Sequence, residues 1–178
     1  MQCLLTLSGH KQSVTCLRWG GTGLIYSGSQ DRTLRVWRDE DVSVSYINFN
    51  SNDLWNQYFQ GVLCRILEGH GHWINTLALS TDYVMRTGAY EPFLETKEKT
   101  EKALVRYNRA RGEKERLVSG SDDFTLFFWE PESNKKHIAR MTGHQQLIND
   151  VKFSPDTRII ASASFDKSIK LWDGKTGK

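Results

Sequence analysis

Serine, histidine and aspartate, the residue types of a nucleophile, its base and the group that orients the base, recur in this chain at fixed spacing. Three segments align without gaps: "LIYSGSQDRTLRVW" at 24–37, "RLVSGSDDFTLFFW" at 116–129 and "IIASASFDKSIKLW" at 159–172. Each carries a Ser, an Asp four residues later and a Trp six beyond that: Ser27/Asp31/Trp37, Ser119/Asp123/Trp129 and Ser162/Asp166/Trp172. A Gly-His pair stands upstream of each, at His10, His70 and His144, and four residues after each His comes a β-branched residue, Val14, Ile74 or Ile148. A hydrolytic triad is built once. A set repeated three times, each beside a Trp, is what architecture produces. No nucleophile elbow, phosphate-cradling glycine loop or paired zinc ligands accompany it. For the three histidines to bind a metal they would have to converge from three separate units onto one tetrahedral site. The expectation is a scaffold rather than an enzyme, with no cofactor and no metal.

The elements that position these residues read as short strands. "SVTCLRW" and "INDVKF" open first strands, and "LIYSGS" and "IIASAS" are β-rich second strands. "QD", "DD" and "FD" sit in tight turns before "TLRVW", "TLFFW" and "SIKLW", which alternate as third strands. "GVLCRILEGH" and "HIARMTGH" supply fourth strands that lead into the next Gly-His, and a further one is expected at about Leu4–Leu7.

Composition supports a globular chain. Of 178 residues, 38% are apolar and 25% charged, in the range of folded soluble domains. No apolar run approaches the roughly 20 residues of a membrane helix, and the first ten residues lack the pattern of a secretory signal. Three widely spaced cysteines (Cys3, Cys16, Cys64) are an odd number, which points to free thiols in a reducing compartment. A net charge of +3 argues only weakly for an acidic partner.

Four-stranded units of about 40 residues with Gly-His and a terminal Trp resemble WD40 repeats. The resemblance implies an all-β, open (incomplete) propeller fragment of three blades, with repeats at about 9–41, 61–130 and 143–178. It also implies that the Trp N–H donates to the Ser, the Ser reaches the His, and the His meets the Asp. Each bond would be worth roughly 1 kcal/mol net, and a buried group left unpaired would cost about 1–3 kcal/mol. Longer words, "QSVTCLRWGG", "GHGHWINTLALSTDYVMRTGAYEP" and "SASFDKSIKLWDGKTGK", closely resemble the Notchless family over the whole chain except 42–60. That likeness implies a nuclear and nucleolar assembly factor docking on pre-60S particles, with ribosomal proteins and rRNA as partners. It further implies a midasin-type AAA ATPase reached only through an N-terminal ubiquitin-like domain that this sequence lacks. The alternative is a propeller adaptor in Notch-type signalling or in substrate recognition for a ubiquitin ligase.

Two insertions break the period, for Trp37 and Trp129 stand 92 residues apart but Trp129 and Trp172 only 43. One, at 86–116, lies between first and second strands. A short helix is expected there over roughly 95–108, followed by a basic stretch of Arg106, Arg109, Arg111, Lys114 and Arg116. That stretch is either a solvated loop or a contact for RNA phosphates. The other, 42–60, lies between third and fourth strands. Its first residues, Val-Ser, can be encoded GTA-AGT and its last, Tyr-Phe-Gln, TAT-TTT-CAG, the typical edges of an intron. Its 19 residues keep the frame, and excision leaves "VWRDEDGVLCRILEGHGHW". It therefore reads as a translated intron, the alternative being a loop whose Trp55, Tyr58 and Phe59 form an interaction patch. For partner binding, the loops just after Gly-His offer Gln12, His72, Trp73, Gln145 and Gln146. Trp73 either anchors an interface or packs between blades.

Overall fold

The computed structural model describes residues 3, 6–21, 23–41, 59–83, 105 and 114–178. Eleven strands form among them: β1 (Val14–Trp19), β2 (Leu24–Ser29), β3 (Leu34–Asp41), β4 (Phe59–Leu67), β5 (Ile74–Leu79), β6 (Leu117–Ser121), β7 (Leu126–Trp129), β8 (Ala139–Met141), β9 (Ile148–Phe153), β10 (Ile159–Ser164) and β11 (Ile169–Asp173). They make three antiparallel sheets in the orders β1-β2-β3-β4, β5-β6-β7-β8 and β11-β10-β9. The strands before the second and third Gly-His, β4 and β8, pair with β3 and β7 as fourth strands, so β4 (from Phe59) joins the first sheet although it falls within the 61–130 repeat. Antiparallel neighbours need only a short connection, so the sequential partner wins. No helix among the described residues is long and apolar enough to cross a membrane.

Alternation along each strand gives every sheet two faces. Leu24, Tyr26, Leu34, Val36 and Leu67 of the first sheet meet Leu77, Leu79, Leu117, Phe127 and Trp129 of the second. The second sheet turns Ala78, Val118, Leu126, Phe128 and Met141 towards Ile148, Val151 and Ile160 of the third. The repeated glycine and the β-branched residues after His70 and His144 interlock here. A Cβ on Gly28 would lie 2.9 Å from Ile74, and one on Gly120 2.6 Å from Ile148. Backbone polar groups are bridged at the same joints: the Thr15 hydroxyl donates to the Ile74 carbonyl, and the Asn75 amide to the Ile148 carbonyl at 3.0 Å. The two outer flanks stay open, with Leu17 and Trp19 exposed on β1 and Ile169 and Leu171 on β11.

The fourth strand expected at about Leu4–Leu7 is not formed at Thr6 and Leu7; Leu4 and Leu5 lie outside the described residues. A strand exists only through its ladder bonds, and among the described residues no strand lies beside this one. Of the helix expected over 95–108, Val105 alone is described, and it is helical and exposed. The ladder between β3 and β4 runs two residues further than the sequence boundaries, pairing Glu40 with Gln60 and Asp41 with Phe59. Residues 42–58 lie outside the described residues.

The β3–β4 register yields a prediction. Asp39 stands opposite Gly61, so deletion of residues 42–60 leaves Glu40-Asp41 as a two-residue loop, the commonest hairpin connection. The deletion variant is expected to fold with stability equal to or above that of the parent. A lower thermal midpoint in circular dichroism would make the segment part of the fold.

Candidate binding surface and the buried polar networks

Each network draws one residue from each of four places: His before the first strand, Ser on the second, Asp in the turn after it and Trp on the third. Ser27 Oγ lies 2.8 Å from His10 Nε2 and accepts from Trp37 Nε1 at 2.9 Å, while His10 Nδ1 meets Asp31 Oδ2 at 2.8 Å. For Ser119, His70, Trp129 and Asp123 the same distances are 2.8, 2.9 and 2.9 Å. For Ser162, His144, Trp172 and Asp166 they are 2.8, 2.8 and 2.7 Å. With each imidazole protonated on Nδ1, every donor in the chain from indole to carboxylate has one acceptor.

This is the bonding order of a hydrolytic triad, and the surroundings decide what it can do. The three serines are 4%, 0% and 1% exposed, and each hydroxyl already accepts an indole N–H. A carbonyl carbon cannot approach an oxygen covered in this way. The networks fix strands to one another.

The carboxylates complete the turns. Asp31 Oδ1 accepts from the Thr33 backbone and hydroxyl at 3.0 and 2.6 Å, and its Oδ2 accepts the Lys11 N–H at 2.9 Å. Thr125 and Gly71 do the same for Asp123, and Ser168 and Gln145 for Asp166. The residue after each Asp, namely Arg32, Phe124 or Lys167, sits at φ 67–68°, a left-handed conformation unfavourable to side chains that these bonds hold in place. Burial by itself would raise the pKa of Asp31 and Asp123, but hydrogen bonds outweigh it, led by Thr33 for Asp31 and by His70 for Asp123. Bonds led by Ser168 likewise hold Asp166 well below the usual carboxylate range.

The loops after Gly-His lie beside these turns. Ser29, Ser121 and Ser164 hydroxyls donate to the carbonyls of Gln12, His72 and Gln146 at 3.2, 3.2 and 3.0 Å. Gln12, His72, Gln145 and Gln146 are exposed, and Trp73 is 43% exposed, its ring 5.2 Å from that of His72. Phe124 and Phe165 are exposed in the neighbouring turns. In the sequence Phe is expected inside, and the one signal that sets these two apart is their position beside the network Asp.

The basic stretch divides. Arg106, Arg109 and Arg111 lie outside the described residues. Lys114 is exposed and 4.0 Å from Glu130. Arg116, expected with them in either a solvated loop or a phosphate contact, is half-buried and donates to the Gly174 carbonyl at 2.6 Å and the Thr157 hydroxyl at 3.0 Å. Its guanidinium joins the second sheet to the third. Glu115, unremarked in the sequence, is 1% exposed. It accepts from the Tyr26 hydroxyl at 2.6 Å, the Thr81 hydroxyl at 2.6 Å and the Gly21 N–H at 2.9 Å, joining the second sheet to the first. Among the described residues no cluster of His, Cys, Asp or Glu could hold a metal ion.

Two predictions follow from the geometry of the networks. Ser119→Ala strands the Trp129 N–H and one imidazole nitrogen, at about 1–3 kcal/mol for each buried group; urea unfolding should show the loss. A carboxylate whose folded pKa is lowered adds stability that is fully present above its unfolded value, about 4, and is lost as pH falls towards the folded value. The urea midpoint should therefore hold from pH 7 to about pH 5 and decline below about pH 4. Asp123→Asn should be less stable at pH 7 and show a shallower acid decline; an unchanged slope would remove Asp123 from the linkage.

Comparison with known proteins places this architecture. The WD domain, G-beta repeat family matches residues 1–38 and 135–173, skipping the part of the chain that holds the two insertions. Protein Notchless of Drosophila melanogaster is 47% identical over 168 residues, covering 89% of this chain and 30% of the relative. Ribosome assembly protein 4 of Saccharomyces cerevisiae is 48% identical over 184 aligned positions, 99% of this chain and 32% of the relative. The Notchless protein homolog of Arabidopsis thaliana is 52% identical over 176 positions, 98% and 34% respectively. The chain thus spans about a third of the length of the curated relatives it matches. With its WD40-type sheets, the chain is thus similar along nearly its full length to the Notchless proteins, WD40-repeat proteins named in several organisms.

Proposed function

We propose that this chain is part of a non-enzymatic WD40 scaffold in assembly of the large ribosomal subunit, docking on pre-60S particles in the nucleolus. The observation that carries it is the identity of 48% to a yeast protein named for ribosome assembly, along 99% of this chain. Burial of the three network serines supports a scaffold over a hydrolase. Ribosomal proteins and rRNA are the proposed partners, and a midasin-type ATPase enters only through a ubiquitin-like domain. A signalling adaptor is the second reading, favoured by the exposed aromatic side chains of Trp73, Phe124 and Phe165 beside the post-Gly-His loops, which suit a peptide.

The full-length protein should co-sediment with pre-60S particles on a sucrose gradient; its absence from those fractions removes the main reading. Trp73→Ala is expected to weaken partner binding about tenfold or more, as hot-spot aromatics do, with the thermal midpoint unchanged. Loss of both binding and stability would assign Trp73 to packing.

A further inference from the structure

Both joints between sheets repeat one pattern, and the two outer flanks are its unmatched halves. On the leading side, Ile74, Leu77 and Leu79 of β5 are buried against the first sheet, and Ile148 and Val151 of β9 against the second. Their counterparts on β1, Val14, Leu17 and Trp19, are 54%, 54% and 59% exposed. On the trailing side, Leu34 and Val36 of β3 and Leu126 and Phe128 of β7 are buried, while the matching Ile169 and Leu171 of β11 are 73% and 66% exposed. The third sheet also lacks a fourth strand. β4 covers the edge of β3 and β8 that of β7, but among the described residues none lies beside β11. Leu67 and Met141, each two residues before the glycine of a Gly-His pair, stand opposite Leu34 and Leu126 and are buried. Leu7 stands at the same distance from Gly9, half-buried and in no strand.

We infer that both flanks are filled by a second copy of this chain, joined head to tail so that β1 of each copy packs on the third sheet of the other. The residues on the two flanks fit this occupant. At both existing joints a glycine faces the β-branched residue that opens the next sheet, Gly28 with Ile74 and Gly120 with Ile148. On the trailing flank that position holds Ala163, and the opener of the leading flank is Val14. Ala adds one methyl group to Gly and Val lacks one that Ile carries, so the joint keeps its volume, a swap that packed interiors tolerate with slight re-seating. The residue after each opener reaches across to the next sheet: Thr15 donates to the Ile74 carbonyl and Asn75 to the Ile148 carbonyl. Asn149 occupies that place on the trailing flank, exposed and unpaired among the described residues, and the Val14 carbonyl of the second copy is its acceptor. Leu7 of that copy takes the place opposite Ile169 that Leu67 takes opposite Leu34. Two such joints close under a two-fold axis. Two copies bring six sheets and three bring nine, against about 4–8 blades in closed propellers.

The test is independent of the ribosome-assembly reading. Multi-angle light scattering of the 178-residue chain should give the mass of two chains. Leu17→Asp and Leu171→Lys alter opposite flanks at exposed positions, so each variant should fold, as circular dichroism checks. Each alone should raise the dimer dissociation constant on the order of a hundredfold, since an unpaired charge is then buried in an apolar joint. Mixing the two variants should restore a dimer, because one joint then has both native faces and the other brings opposite charges together. Neither a folding defect nor a contact between like flanks can produce that complementation. Asn149→Ala should weaken association several-fold and Asn149→Thr should not, since Thr15 fills the same place in the first joint. A single-chain mass would assign the flanks to another occupant, such as further sheets of a longer polypeptide, and overturn the inference. A mass above two chains, dimerisation that survives either charged variant, or no recovery on mixing would overturn it equally.

Discussion

A buried serine hydroxyl that accepts an indole N–H and faces an imidazole nitrogen is the interaction on which this structure depends. The sheet is thin, and its Trp, Ser and His bring polar atoms into the interior, where an unpaired donor is costly. One oxygen answers both neighbours, and the Asp answers the imidazole from the other side. The four residues come from the loop before a sheet, its second strand, the turn after it and its third strand. Satisfying one polar chain therefore fixes the entry loop, the turn and the ends of the strands together. Loss of any member exposes the others to the same penalty, which is why the four residue types travel as a set.

Between sheets, steric fit does comparable work. A glycine on the second strand of one sheet leaves room for the β-branched residue that opens the next, and carbonyls at the joint accept side-chain bonds from Thr15 and Asn75. Glu115 and Arg116 extend the same logic at the other end of the strands. A carboxylate that accepts two bonds across the first joint and one from its own sheet is followed at once by a guanidinium that donates two across the second. The long 86–116 insertion thus returns to the sheet through a pair of anchors.

The repeat pattern made most of the fold legible. Strands β1 to β3, β5 to β7 and β9 to β11 fall where alternation and turn residues put them, because a period of two is a local property that each segment carries alone. The His, Ser, Asp and Trp positions were legible because they recur, and recurrence marks residues whose partners are also recurrent. Phe124 and Phe165 were not, since nothing in their type distinguishes an exposed turn aromatic from a core one. Arg116 was left open for a related reason: in a run of basic residues, sequence shows the charge but not which guanidinium finds an acceptor.

What the sequence by itself determined is whatever repeats or acts over a few residues: the strand pattern, the turns, the network members and the likeness to a family. What only the tertiary structure decided joins parts of the chain that share no local signal. Tyr26 and Glu115 are 89 residues apart, and Arg38 and Arg65 are brought to one cleft with Glu132 by the stacking of two sheets. Such contacts arise once each, from the way whole sheets pack. A single occurrence leaves no period in the chain to read, so burial and the presence or absence of a partner become visible only when the sheets are assembled.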